Sequence, residues 1–226
     1  MKIDDIGRVV RTNRVEITPE VVRKTFRRFS LTMLWGFLER KPYASAQQRY
    51  AREKSVIPIF FDRGLNTPEL INFDDRALSL DIKTLELTDL VGVFQDPRIC
   101  KDDKLGYFKM ALQQLWGIHN LGKTHGDPYL KNFFRLNRQY QKRGSVYTCD
   151  FEYQRISPDP LTTDVLILVA DATHLLNNNH PEEAPAIMTI LEEVYGKGLS
   201  FPFDARDRFF FRKRFGTGNA FFDYFR

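Results

Sequence analysis

The opening of the chain alternates apolar and polar positions with a period of two. Gly7 to Arg11, Arg14 to Thr18 and Val21 to Phe26 are rich in Val and Ile, with turn-forming pairs at Thr12-Asn13 and Pro19-Glu20 between them. This pattern predicts a three-stranded meander. In that register Val22, Lys24 and Phe26 share one face. The period then lengthens: Leu31, Leu34, Trp35 and Leu38 fall at i, i+3, i+4 and i+7 and predict a helix near 30–41 that Pro42 ends. Ser45 with Gln48 has the spacing of a capping box and predicts a second helix carrying Tyr50, Glu53 and Ile57 before Pro58. Residues 69–87 read as two strands around Asp74-Asp75, closing on Leu85-Glu86-Leu87.

The second half is mainly helical in pattern. Phe108, Ala111, Leu112, Leu115 and Ile118 make one apolar stripe. FFRL and SVYTC read as a hairpin joined by the basic NRQYQKRG, and Asp164 stands where it can cap a helix that runs into the apolar Val165 to Ala170. A further helix is predicted over 181–196. The chain shows no repeat and no low-complexity segment.

With 226 residues and a hydrophobic fraction of 42%, the chain can bury a sizeable core as one domain or as two lobes sharing a cleft. Its apolar runs are far too short to span a bilayer, and Asp4 and Asp5 stand where a targeting segment would be basic. The expectation is a soluble, cytoplasmic protein with no transmembrane segment. Cys100 and Cys149 show no zinc-type spacing and read as reduced thiols. The net charge of +5 gathers at the two ends, while the middle is acidic. Basic ends suit RNA or an acidic protein partner, and equally a solvated surface.

The chemistry concentrates in HGDPYLKN at 125–132 and CDFEY at 149–153. Moving the terminal phosphoryl of ATP needs an oriented nucleophile and neutralised phosphate charge more than covalent work by the protein. Asp127 would face the acceptor hydroxyl. Mg2+ requires one or two protein oxygens beside phosphate oxygens and water, which Asn132 and Asp150 could supply. No GxSxG elbow or paired-histidine spacing supports a hydrolase or metalloenzyme.

Asp127 and Asn132 are spaced as in a kinase catalytic loop, and Asp150 opens a DF-x triplet. These residues resemble the protein-kinase-like superfamily, in particular its small atypical members with HGD: the RIO kinases and the small kinase of the KEOPS tRNA threonylcarbamoyladenosine complex. WGIHNLGKTHGD at 116–127, REKSVIPIFFDRGLNTPEL at 52–70 and TDVLILVADA at 163–172 carry that likeness, and RKRFG at 212–216 resembles a basic tail of the tRNA-complex kinase. DFEY departs from DFG and resembles choline and ethanolamine kinases.

The resemblance implies an α+β, bilobal fold over a single domain, 1–226. Residues 1–87 would be an antiparallel-sheet N-lobe with an extra helix near 30–41, 88–203 a mainly helical C-lobe, and 204–226 a basic aromatic tail that packs on the large lobe or binds RNA. It implies an ATP- and Mg2+-dependent phosphotransferase with Asp127 and Asn132 as catalytic residues and Asn132 and Asp150 as metal ligands. Lys24, Glu53, Glu86 and Asp150 would bind the nucleotide: Lys24 on phosphates, Glu53 as its helix partner and Glu86 in the segment that meets adenine. Lys24 reads equally as a surface lysine. Glu39 rivals Glu53, which could instead pair with Arg49. His125 braces the catalytic loop in the resembling families, His119 reads as a structural partner of it, and Lys131 as solvent-facing. Thr12-Asn13 stands where a glycine-rich phosphate loop is expected, with no glycine. The acceptor would be a protein Ser/Thr, with ATP hydrolysis in a tRNA-modifying assembly as a variant. A small-alcohol kinase of choline or aminoglycoside type, and a pseudokinase or RNA-binding module without turnover, are the alternatives.

Overall fold

A computed structural model describes residues 13–27, 44–83, 87–136, 146–151, 159–177 and 184–196. The expected strand at Gly7 to Arg11, the helix near 30–41 with Glu39, the adenine-side residue Glu86, the basic hairpin link and the 204–226 tail lie outside them. The described residues fall into two compact units. The first draws on Met1–Leu85, His125–Asp127 and Cys149–Pro158, the second on Glu86–Thr124, Pro128–Thr148 and Asp159–Arg226.

In the first unit, strands β1 (Asn13–Ile17), β2 (Val21–Phe26), β3 (Leu70–Asp74) and β4 (Ser79–Lys83) form an antiparallel sheet in the order β1-β2-β4-β3. Thr18 closes the first turn: its amide donates to the Val21 carbonyl at 2.9 Å and its hydroxyl accepts from the Val21 amide at 3.1 Å. Asn13 is not a turn residue. It pairs with Phe26 across the strands, because its side chain is buried and accepts from Arg49 Nη1 at 2.8 Å. Lys24 sits opposite Leu80, and Val22 opposite Ile82. Residues directly opposite share a face, so the buried Leu80 and Ile82 mark the Lys24 side as the packed one.

Helix α1 (Ala46–Asp62) begins with the full capping box: the Gln48 amide donates to Ser45 Oγ at 3.1 Å and the Ser45 amide to Gln48 Oε1 at 2.8 Å. It does not stop before Pro58. An internal proline costs about 3 kcal/mol, yet Ile57 and Phe60 on either side of it are buried. Each contributes about 1.5–3 kcal/mol by leaving water, enough to carry the helix through. Gly64, at φ 77°, ends it, with the Leu65 amide reaching back to the Phe60 carbonyl at 3.0 Å.

The second unit holds strands β5 (Leu87–Asp89), β6 (Phe133–Leu136) and β7 (Val146–Thr148) and helices α2 (Leu90–Gln95), α3 (Lys101–Asn120), α4 (Pro160–Asn177) and α5 (Ala184–Tyr195). The strands make an antiparallel sheet in the order β5-β6-β7, with Phe133 opposite Thr148. The stripe on α3 is buried throughout, and its Phe108, Ala111, Leu112 and Leu115 join Leu130, Phe133, Ile167, Leu168 and Leu191 in one apolar core. Asp164 does not cap α4. The helix starts a turn earlier, where the Asp159 carboxylate accepts from the Thr162 amide at 3.0 Å, and Asp164 lies inside it, fully buried.

The architecture is therefore α+β, an antiparallel sheet in the N-terminal part and helices in the C-terminal part. No helix among the described residues is long and apolar enough to cross a membrane.

Candidate functional site

The first unit buries a cluster of charge. Lys24 projects from β2 onto the packed face and is 8% exposed, and Glu53, one helical turn past Arg49 on α1, is 1% exposed. Lys24 Nζ lies 2.6 Å from Glu53 Oε2 and 2.5 Å from Asp150 Oδ1. Arg49 is engaged elsewhere: besides Asn13, it donates to the Arg27 carbonyl at 2.7 Å. A buried ammonium is tolerated only when paired, and here two carboxylates from distant parts of the sequence meet it. Asp150 has φ 69°, in the left-handed region that a residue with a side chain seldom adopts.

Two tethers orient α1 in this unit. Tyr50 donates its hydroxyl to Asp75 Oδ1 at 2.6 Å, and Lys54 Nζ reaches the same oxygen at 2.8 Å while lying 3.5 Å over the Phe73 ring. The Lys54 hydrogen bond, helped by that of Tyr50, holds the Asp75 carboxyl below its usual range. Burial first, and Asp75 second, push the Tyr50 phenol above its own.

Asp127 lies in the same unit and is 2% exposed. Its amide donates to His125 Nδ1 at 3.4 Å, so His125 is a brace for the loop. The His125 ring stands 5.0 Å from that of Phe151, and Phe151 meets Phe60 of α1 edge-on, also at 5.0 Å. Arg52 Nε donates to the Phe151 carbonyl at 2.9 Å. Helix α1 thus holds the 150–151 segment in three ways: Glu53 through Lys24, Arg52 through the backbone, and Phe60 through the ring. Sequence reasoning did not single out Arg52 or Phe60, nor pair Asp150 with Lys24.

Asn132 belongs to the second unit, on a 3-10 turn, Leu130–Asn132, where its amide donates to the Tyr129 carbonyl at 2.8 Å. The Asp171 carboxylate on α4 anchors that turn by accepting from the Leu130 amide at 2.8 Å. Lys131 is exposed, with its ammonium 5.4 Å from the Tyr129 ring. His119, near the end of α3, has Nε2 3.5 Å from Asp164 Oδ2 and Nδ1 3.1 Å from the Tyr195 hydroxyl, so it joins α3 to α4 and α5. Burial, with Asp164 nearby, raises the Tyr195 phenol above its usual value.

Among the described residues no three or more His, Cys, Asp or Glu side chains gather as a metal cluster. Mg2+ takes few protein ligands and favours carboxylate and amide oxygens. The partly exposed Asp150 carboxylate is of that kind, its side chain 24% accessible.

No protein-family model and no curated protein matches the chain. Solved structures do. The crystal structure of one double mutant of the PknI kinase domain from Mycobacterium tuberculosis aligns with TM-score 0.52 at 15% identity, over 84% of this chain and 82% of that one. A second double mutant of the same domain aligns with TM-score 0.51 at 16% identity, over 91% and 83%. At such identity the likeness is one of fold, and the fold of this chain is that of the protein kinase domains.

Proposed function

We propose that the chain is an ATP- and Mg2+-dependent phosphotransferase. The observation that carries this is the buried Lys24 ammonium between Glu53 and Asp150, in the same compact unit as the buried Asp127. A lysine buried on a sheet and oriented by a helix carboxylate is arranged to receive phosphate oxygens. Asp127 would accept hydrogen bonding from the acceptor hydroxyl and orient it. Asp150 and Asn132 would hold Mg2+, whose contribution is charge neutralisation on the phosphates, Asn132 being assigned from its sequence spacing alone. Glu86 remains the proposed residue of the adenine-side segment.

The acceptor we favour is a protein Ser/Thr, as in the small atypical kinases that HGDPYLKN resembles, with ATP hydrolysis in a tRNA-modifying assembly as its variant. DFEY instead favours a small alcohol. A kinase-fold module without turnover is supported by a different observation: the Asp150 carboxylate already has Lys24 as a partner. Mg2+-dependent ATP turnover separates these classes. Asp127→Asn and Asp150→Ala should each lower it by at least about 100-fold, and turnover equal to wild type in both would sink the enzymatic proposal. Labelled ATP then reads the acceptor, as label on protein, on a small alcohol or as free phosphate.

A further inference from the structure

Asp150 occupies a left-handed backbone conformation without being a glycine. Such a residue keeps that conformation only when its surroundings over-determine it. The next residue supplies the constraint: the Phe151 ring is fully buried between Phe60 and His125, while its carbonyl accepts from Arg52 Nε at 2.9 Å. Ring and carbonyl are held independently, so Phe151, the residue that follows Asp150, has little rotational freedom. In the DF-x triplet the third position is Glu152, with no glycine to relax the backbone there.

We propose that Arg52 is a positioning residue, which by holding the Phe151 carbonyl keeps Asp150 in the one backbone conformation that presents its carboxylate for cation binding. The same helix carries Glu53, so adjacent residues of α1 set the two sides of the site: Glu53 orients the Lys24 ammonium and Arg52 the Asp150 backbone. Both tasks thus fall to neighbouring residues of one helix. A guanidinium suits this task, because its planar donors hold direction as well as distance, and charged donors make the stronger hydrogen bonds to carbonyls.

The inference rests on the phosphotransferase reading for its purpose, so two readouts are needed. Amide hydrogen exchange over 149–151 reports the clamp itself. Mn2+ binding by electron paramagnetic resonance, with a non-hydrolysable ATP analogue present, reports its service to the site. Arg52→Met keeps the aliphatic stem and removes the donors. It should speed exchange and weaken Mn2+ binding by about tenfold each, and Arg52→Lys should recover part of both. Unchanged exchange in Arg52→Met overturns the clamp, and faster exchange with unchanged Mn2+ affinity overturns its purpose. Should wild type bind no Mn2+ while Arg52→Met still exchanges faster, the clamp stands and the phosphotransferase reading falls. If Arg52→Met does not fold, Arg52→Lys decides: exchange and affinity both equal to wild type would overturn the proposal, and both shifted would support it.

Discussion

The two units bury polar groups in opposite ways. The first encloses Lys24, Arg49, Glu53, Asp81, His125 and Asp127, whereas the second is organised around Phe108, Leu112, Leu115, Ile167 and Leu168, with Lys104 and Asp164 as its buried charged residues among those described. Buried charge adds little net stability, because desolvation offsets much of the attraction, while apolar packing contributes directly. The first unit therefore gives up cohesion for a preset constellation, and the second supplies a firm scaffold. Perturbations of equal energetic size should thus be felt differently: in the first unit as lost chemistry on top of lost stability, in the second as lost stability alone.

The sharpest way to break this contrast is Lys24→Met. It leaves Glu53 and Asp150 facing each other without their shared ammonium, so stability should fall by about 3–5 kcal/mol and ATP turnover by about 100- to 1,000-fold, as read by urea unfolding and a coupled assay. Turnover at the wild-type level would place Lys24 outside the site. Leu112→Ala is the counterpart in the second unit. At a fully buried position it should cost about 2–5 kcal/mol yet leave turnover per folded molecule near wild type. A proportional loss of turnover would show that the scaffold is part of the chemistry.

Tyr195→Phe probes the small polar group inside the apolar unit. Removing its hydroxyl from His119 should cost about 0.5–1.5 kcal/mol at neutral pH, measured by urea unfolding. The pH dependence has a definite sign. The folded-state phenol is raised above its unfolded value, chiefly by burial, so its proton is retained on folding and stability declines as pH climbs past about 10, the ordinary tyrosine value. The variant should show a shallower alkaline decline, and an identical slope would remove Tyr195 as its source.

Local signals were the most legible in the sequence. The Ser45 and Gln48 spacing marked the start of α1, and the 108–118 stripe marked a buried helix face, since capping and periodicity act within a few residues. The period of two also put Lys24 on one face with Val22 and Phe26, and that face proved to be the one opposite Leu80 and Ile82. Pro58 misled, because propensity is a local term and the burial of Ile57 and Phe60 overrode it. Asp164 misled for the opposite reason: a carboxylate beside an apolar run looks like a cap, but Asp159 takes that place and Asp164 faces His119. The Arg52 contact with Phe151 spans 99 residues of sequence and joins a side chain to a backbone carbonyl, which carries no residue-type signature at all.

Charge balance gives the Lys24 arrangement a further consequence. Counted by themselves as ionised groups, one ammonium and two carboxylates carry a surplus of one negative charge. A polyanion arriving alone meets two carboxylates beside the ammonium, and a cation arriving alone finds both carboxylates already paired with Lys24. Each lowers the barrier for the other, so the two should bind with positive heterotropic linkage. The ion trio would then admit a metal-complexed polyanion more readily than either component by itself.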